Sequence, residues 1–193
     1  MWIKISIAML AFAANSLLCR LALAEQQIDP MSFSLLRVGS GAVCLGLLYV
    51  VLQVQQPIQF QWKSALSLAV YLLGFSLAYL HINAGIGALI LFGAVQITMI
   101  SYAILHGERM TLARWVGLGC AVLGMGLLLL PEASAPKFKY ALMMLLAGIA
   151  WGFYSIAAKT MQHALTTTLS NFILATPVVA VFFLLNLGQS SYR

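Results

Sequence analysis

Hydrophobic residues occupy seven long runs that are separated by short polar segments. The runs cover approximately residues 3–23, 34–54, 64–82, 85–105, 112–130, 140–158 and 168–187. Each is close to the roughly 20 residues that a helix needs to cross a bilayer. They are continuously apolar, whereas the strands of a membrane barrel alternate apolar and polar positions. The pattern predicts an all-α, polytopic bundle of about seven transmembrane helices.

Polar residues and helix breakers mark the predicted connections. Residues 25–30 are polar and end in Pro30, and residues 53–62 contain five glutamines together with Pro57. The very short link at residues 83–85 predicts that the third and fourth helices form an antiparallel hairpin. Pro177 falls inside the seventh run. A membrane helix can contain a proline kink when neighbouring helices satisfy the carbonyl group that the proline leaves without a partner.

Composition supports a membrane location. Hydrophobic residues make up 63% of the chain and charged residues only 7%, whereas a soluble domain carries about 25% charged residues. The mean hydropathy is +1.00. The net charge of +6 comes from cations that stand singly or in pairs between apolar runs. This distribution favours membrane boundaries over a nucleic-acid patch, so we expect the lipid bilayer, and no nucleic acid, as a partner.

The residues in and beside the apolar runs indicate how the chain is oriented in the membrane and whether its first run is cleaved. Lysines and arginines in the connections divide five to five between the two sides. Setting aside Arg20 and Arg37, which lie within or at the edge of apolar runs, leaves five against three and favours a cytoplasmic N-terminus. Asn15, Ser16 and Arg20 interrupt the first run, so we expect an uncleaved span rather than a signal peptide.

Cysteines and small residues point to helix packing. Cys19, Cys44 and Cys120 lie far apart inside apolar runs and form no CxxC or Cys/His cluster, so we expect no metal, no cofactor and no disulfide framework. Cys120 and Gly124 form a small-xxx-small pair, which lets two helix backbones approach closely. Packing inside the bundle is the favoured interpretation of this pair, and a homodimer is the alternative.

The first and sixth runs share a nine-residue frame. Both have an aromatic residue at position one, serine at position five and a cation at position nine, and Asn15 and Tyr154 share position four. The frames run from Phe12 to Arg20 and from Trp151 to Lys159. A first unit of five helices, residues 1–131, would place an incomplete second unit, residues 137–193, in inverted orientation. Inverted repeats with a binding site between them are typical of secondary transporters.

Further motifs extend this pattern along the chain. They are Asp29-Pro30 with Leu36-Arg37, residues 79–89 continuing through Val95-Gln-Ile-Thr-Met99, and Gly107-Glu-Arg-Met before Trp115-Val-Gly-Leu-Gly119. With these motifs and the two frames, the sequence resembles the EamA-type family of the drug/metabolite transporter superfamily. The resemblance implies two inverted five-helix repeats around a central cavity. It also implies alternating-access transport of small metabolites, amino acids or drugs, inward or outward, across the bacterial inner membrane.

The chain departs from that family by having about seven helices. The resemblance therefore implies either a shortened transporter or part of one, and a non-transporting membrane subunit or an inactive fragment is the alternative. An enzyme is not expected, and we identify no catalytic residue. Gly39-Ser40-Gly41 with His81 faintly resembles an intramembrane serine protease, but such a trio is also common in helix packing. A seven-helix receptor is disfavoured because the seventh run has no lysine for a chromophore.

Polar and aromatic residues inside the runs are the candidate solute contacts, because polar groups in lipid are costly. The candidates are Asn15, Ser16, Arg20, Arg37, Tyr79, His81, Gln96, Trp151 and Tyr154. Trp151 and Tyr154 offer large apolar surfaces with a polar end, which suits a small, partly apolar solute. The alternative for these aromatic residues and for the polar pair in the first run is hydrogen bonding between helices.

The charged and amide candidates each have two interpretations. Arg20 either extends to the membrane surface or lines the pathway. Arg37 begins the predicted second helix, where it either pairs with Asp29 or Glu25 or binds a substrate carboxylate. His81 is either interfacial or couples proton entry to transport. Gln96 is the residue of the fourth run that we expect to face a cavity.

Overall fold

Seven α-helices form the part of the chain that the structure describes. The computed structural model describes residues 2–24, 28–108, 111–129, 137–159, 161 and 163–190. The helices are α1 Trp2–Ala24, α2 Pro30–Val51, α3 Trp62–Ala78, α4 Ala84–Leu105, α5 Leu112–Leu129, α6 Phe138–Ala158 and α7 Ala164–Ser190. Each predicted run overlaps one helix, and no strand occurs within the described residues. The predicted all-α bundle is confirmed.

Five of these helices are long and apolar enough to cross a membrane. They are α1, α2, α4, α6 and α7, whereas α3 and the apolar part of α5 are shorter. The 17 residues of α3 extend about 26 Å at the α-helical rise, slightly less than the roughly 30 Å of a bilayer's hydrocarbon core. The protein is therefore a multi-pass helical membrane protein.

The start of α2 differs from the prediction in a way that moves Arg37. The Asp29 carboxylate accepts hydrogen bonds from the backbone N–H groups of Met31 and Ser32, both at 3.0 Å. Pro30 occupies the first helical position, which its fixed φ angle suits. Because α2 begins at Pro30, Arg37 lies about 10 Å inside the helix. The prediction that Arg37 begins this helix was wrong. Its proposed partner Glu25 lies outside the described residues.

α6 is the central packing element, because small side chains let it approach two neighbours. Gly148 lies against α4, where an added Cβ would be 2.6 Å from the carbonyl oxygen of Leu91. Ala147 lies against Gly74 of α3. α3 and α4 are joined by the short link at residues 79–83, but they pack mainly on α6 rather than on each other.

α7 completes the packed part of the bundle by lying against α2 and α3. Buried residues from α3, the following turn and α6 form the core, with Phe75, Tyr79 and Met144 fully enclosed. Within the described residues, α1 and α5 make few close backbone approaches, and α4 is the main neighbour of both. The bundle thus has a packed group of five helices and two outlying ones.

The small residues of α5 are not packed within the described structure. Cys120 is exposed, and no atom lies within 4 Å of a Cβ added at Gly117, Gly119 or Gly124. The prediction that this stripe packs inside the bundle was therefore wrong. The predicted boundary between the two units falls between α5 and α6, where residues 130–136 lie outside the described part of the chain.

Candidate functional site

A cavity of about 790 Å³ lies among α1, α2, α3, α6 and α7. α1 lines it with residues 8, 11, 12 and 15, and α2 with residues 37, 40, 41 and 44. These positions are three or four residues apart and so form one face of each helix. The remaining lining residues are Leu68, Tyr71 and Leu72 of α3, Trp151 and Tyr154 of α6, and Thr168 and Phe172 of α7. The volume is in the range of pockets that hold small organic ligands, about 300–1,000 Å³.

One wall of the cavity is a polar cluster formed by Asn15, Arg37 and Tyr71. Arg37 donates a hydrogen bond from Nη2 to the Oδ1 atom of Asn15 at 3.2 Å. The Tyr71 hydroxyl lies beside both of these side chains. Nη1 of Arg37, in contrast, is buried and has no hydrogen-bond partner among the residues that the structure describes. The cluster therefore holds a cation with one donor group unsatisfied.

Two phenylalanine rings support the guanidinium group from other directions. The Cζ atom of Arg37 lies 5.0 Å from the centroid of the Phe75 ring and 5.6 Å from that of Phe33. Cation–π contacts of this kind contribute about 0.5–2 kcal/mol, more when water is excluded. These rings fix the position of the cation without neutralising its charge.

The neighbouring wall is aromatic and centres on Trp151. Its ring lies 6.0 Å from that of Phe12 in an edge-to-face arrangement, 4.6 Å from that of Tyr71 and 5.2 Å from that of Tyr154. Such pairs are favourable because the positive edge of one ring faces the negative face of another. The first and fourth positions of both sequence frames thus lie around one space, with Phe12 and Trp151 in direct contact.

The α2 side of the cavity depends on a glycine. A Cβ added at Gly41 would collide with the ring of Phe172 from α7. The absence of a side chain at Gly41 therefore lets this ring rest directly on the α2 backbone. Phe172 in turn forms part of the cavity wall.

Four of the nine predicted site residues line this cavity: Asn15, Arg37, Trp151 and Tyr154.

Three others meet at the end of α3. Arg20 donates from Nη1 to the carbonyl oxygens of Tyr79 at 2.6 Å and Leu80 at 3.4 Å. A cation suits the negative end of a helix. Arg20 therefore ties α1 to α3, a contact that neither interpretation of this residue included.

The end of α3 is otherwise closely packed. The Tyr79 side chain is fully buried, and its hydroxyl donates to the carbonyl oxygen of Ala84 at 3.4 Å. Ser16 is buried beside that hydroxyl. Ser16 and Tyr79 therefore belong to the α1–α3 contact and not to the cavity wall.

The remaining two candidates lie elsewhere. His81 is exposed in the turn after α3, with its ring 4.1 Å from that of Tyr140. Gln96 is exposed on α4 and is not part of the cavity wall, although the sequence pattern led us to expect it there.

Ser40 of the Gly-Ser-Gly trio lines the cavity, and its hydroxyl donates to the carbonyl oxygen of Arg37 at 3.3 Å. The structure does not place His81 beside Ser40 in this wall.

Sequence reasoning did not select Tyr71, Ser40 or Phe172 as site residues. The spacing of residues 37, 40, 41 and 44 would have indicated a polar and small face on α2, beginning at Arg37. Tyr71, in contrast, stands in an apolar run where only the fold reveals its neighbours. Within the described residues, no group of three or more His, Cys, Asp or Glu side chains could hold a metal ion.

The chain is similar to an uncharacterized protein of Pseudomonas aeruginosa, with 44% identity over 184 residues. The matched region covers 95% of this chain and 64% of that relative. No family model matches the chain, and no solved structure matches it either. The chain therefore spans just under two thirds of the length of the curated relative that it matches.

Proposed function

We propose that the chain acts as a secondary transporter of small organic solutes, or as the solute-binding part of one, related to the EamA-type drug/metabolite transporters. The observation that carries this proposal is the cavity of about 790 Å³ inside a bundle of membrane helices. Phe12 and Asn15 of the first frame and Trp151 and Tyr154 of the second all line it. Secondary transporters bind their solutes where two related units meet near the middle of the membrane.

The packing of the cavity walls suits alternating access. α1 forms one wall but makes few close backbone approaches to the rest of the bundle. A movement of α1 relative to the packed group of five helices would open the cavity without disrupting the α3–α6 and α4–α6 contacts. Motions of packed elements around a fixed site are the usual basis of transport in this class.

Solute flux in proteoliposomes tests the proposal. The purified chain and its longer Pseudomonas aeruginosa relative would be reconstituted in parallel and tested with neutral, cationic and anionic aromatic solutes. We expect flux that Trp151→Ala abolishes, because this substitution removes the centre of the aromatic wall. Trp115→Ala is the matched control, since Trp115 lies on α5, is 50% exposed and is not part of the cavity wall.

The outcomes separate the candidate functions. Flux from both proteins, lost with Trp151→Ala and kept with Trp115→Ala, would support transport by the chain itself. Flux from the relative alone would support a role as part of a larger transporter. No flux from either protein, with any of the three solute classes, would contradict the proposal.

A non-transporting membrane subunit is the second candidate function. If the chain is a non-transporting subunit, it should give no flux alone, and flux should appear only when it is reconstituted together with the part of the relative that lies outside the match. Flux from the chain alone would contradict this alternative.

We also propose that the chain resides in the bacterial inner membrane with a cytoplasmic N-terminus. The excess of lysine and arginine on the N-terminal side, once the two arginines of α1 and α2 are set aside, supports this orientation. Fusions of alkaline phosphatase after α1 and after α2 test it. The enzyme should be active only after α1, and activity only after α2 would reverse the orientation.

A further inference from the structure

The Arg37 side chain has more positive charge than its surroundings balance. It lies about 10 Å inside a membrane-spanning helix, where an arginine is costly to insert unless it is paired. Asn15 accepts one of its hydrogen bonds, but within the described part of the chain Nη1 remains buried and without a partner. A buried donor in this state is destabilising unless a ligand satisfies it.

No acidic side chain stands among the described residues of the cavity wall. Asp29 caps the N-terminus of α2 through the backbone N–H groups of Met31 and Ser32. Glu108 lies 3.9 Å from Arg114, next to α5. The charge that faces the cavity is therefore positive, which favours an anion and disfavours a cation.

The polar cluster offers several donors on one side of the cavity. Nη1 of Arg37 is unsatisfied, and the Tyr71 hydroxyl lies beside the guanidinium group. Arg37 donates to the amide oxygen of Asn15, and the Asn15 side chain, whose amide nitrogen is a donor, lies beside the Tyr71 hydroxyl. An arginine flanked by neutral donors is an arrangement that suits a carboxylate.

We propose that the polar cluster of Asn15, Arg37 and Tyr71 is a carboxylate-binding subsite, and that the cavity selects small monoanionic acids with an aromatic or branched apolar body. Phe12, Trp151 and Phe172 form the surface on which that body packs. An ammonium group would find no acidic partner among the described wall residues, so amines and zwitterionic amino acids bind more weakly. This inference rests on the proposed function, since it names the solute class for the same cavity.

Binding of matched probes tests the subsite without requiring transport. Phenylacetate, phenylacetamide and phenethylamine share a benzene ring and differ mainly in charge. Their binding to the chain in lipid nanodiscs would be measured by isothermal titration calorimetry, with empty nanodiscs as the control for partitioning. We expect phenylacetate to bind about tenfold or more tightly than the amide, because only the acid forms charge-assisted hydrogen bonds.

Substitutions of Arg37 test whether this side chain causes the preference for the acid over the amide. In Arg37→Gln, phenylacetate should bind no more tightly than phenylacetamide, whereas the amide should bind as it does to the unaltered chain. Arg37→Lys should keep a reduced preference, since lysine retains the charge but not the planar fork of donors. Arg114→Gln is the control, because Arg114 is exposed on α5 and does not line the cavity.

The measurement remains decisive even if Arg37→Gln does not fold, since the acid and the amide can be compared on the unaltered chain. Equal affinity of these two probes, or tighter binding of phenethylamine, would overturn the proposal. If phenylacetate binding depends on Arg37 but no flux is observed, the subsite proposal is supported and transport by the chain is contradicted. Flux of amines or neutral solutes that does not depend on Arg37 would keep transport and contradict the subsite.

Discussion

α1 and α6 carry the same nine-residue frame, yet the structure holds them in different ways. α6 buries Met144, Ala147, Gly148 and Ala150 against its neighbours, whereas most of the α1 side chains are exposed. The difference lies in where their small residues point. Those of α6 meet the backbones of α3 and α4, whereas Ala8 and Ala11 of α1 line the cavity. A shared frame can thus bring two helices to one site without fixing how tightly each is held.

The largest effect should follow from a substitution that separates α6 from α4. In Gly148→Leu, the new side chain would collide with the backbone of α4, since even a Cβ would lie 2.6 Å from the Leu91 carbonyl oxygen. We expect the free energy of unfolding to fall by about 3 kcal/mol. Circular dichroism during a titration from mild detergent into sodium dodecyl sulfate measures this change.

Gly117→Leu on α5 is the matched control for this substitution. Among the described residues, no atom outside the local backbone of α5 lies within 4 Å of a Cβ added at Gly117, so the same change of side chain should leave the unfolding free energy nearly unaltered. If both leucine variants were equally destabilised, the effect would belong to glycine replacement in any helix. The packing difference between α6 and the outlying helices would then not account for the loss of stability.

A smaller effect is expected where α1 is attached. In Arg20→Met, α1 loses the charged donor that contacts the carbonyl oxygens of Tyr79 and Leu80. The loss should weaken the attachment of α1 by about 2 kcal/mol. Amide hydrogen exchange, followed by mass spectrometry, should become faster in α1 and stay unchanged in α6.

Lys159→Met tests the equivalent position of the second frame. Lys159 is exposed at the C-terminal cap of α6, so its replacement should leave hydrogen exchange unchanged in both helices. Equal acceleration in the two variants would show that the ninth position acts alike in both frames, contrary to the contacts in the structure.

The smallest effect concerns a polar residue inside the packed group of five helices. Asn171 of α7 is fully buried, and both of its amide atoms lack a hydrogen-bond partner in the described part of the chain. Replacing it with leucine, which has a similar size, should raise the unfolding free energy by about 1 kcal/mol, because an unsatisfied polar group is removed. The detergent titration used for Gly148 measures the gain.

Ser170→Ala is the control for Asn171. The Ser170 hydroxyl is buried as well, but it donates to the carbonyl oxygen of Thr167 at 2.9 Å. Its removal should therefore give no gain in stability. If Asn171→Leu were instead destabilising, the amide would have a partner that the contacts within the described residues do not include.

The apolar runs were sufficient to predict the seven helices, because a membrane-spanning helix has to satisfy its backbone groups within one continuous segment. The depth of Arg37 was missed, because the capping role of Asp29 and the position of Pro30 at the helix start were not recognised. The contact of Arg20 with Tyr79 could not be predicted at all. These residues are 59 positions apart, and helical spacing gives no information over that distance.

Because Gly41 contacts the Phe172 ring, a single carbon atom added at position 41 would change the volume of the cavity. A methyl group at Gly41 would force the Phe172 ring away from the α2 backbone or push α7 outward. The first response narrows the cavity and the second widens it. Variation between glycine and alanine at this one position would therefore change the size of solute that the cavity accepts, while the polar cluster and Trp151 stay as they are.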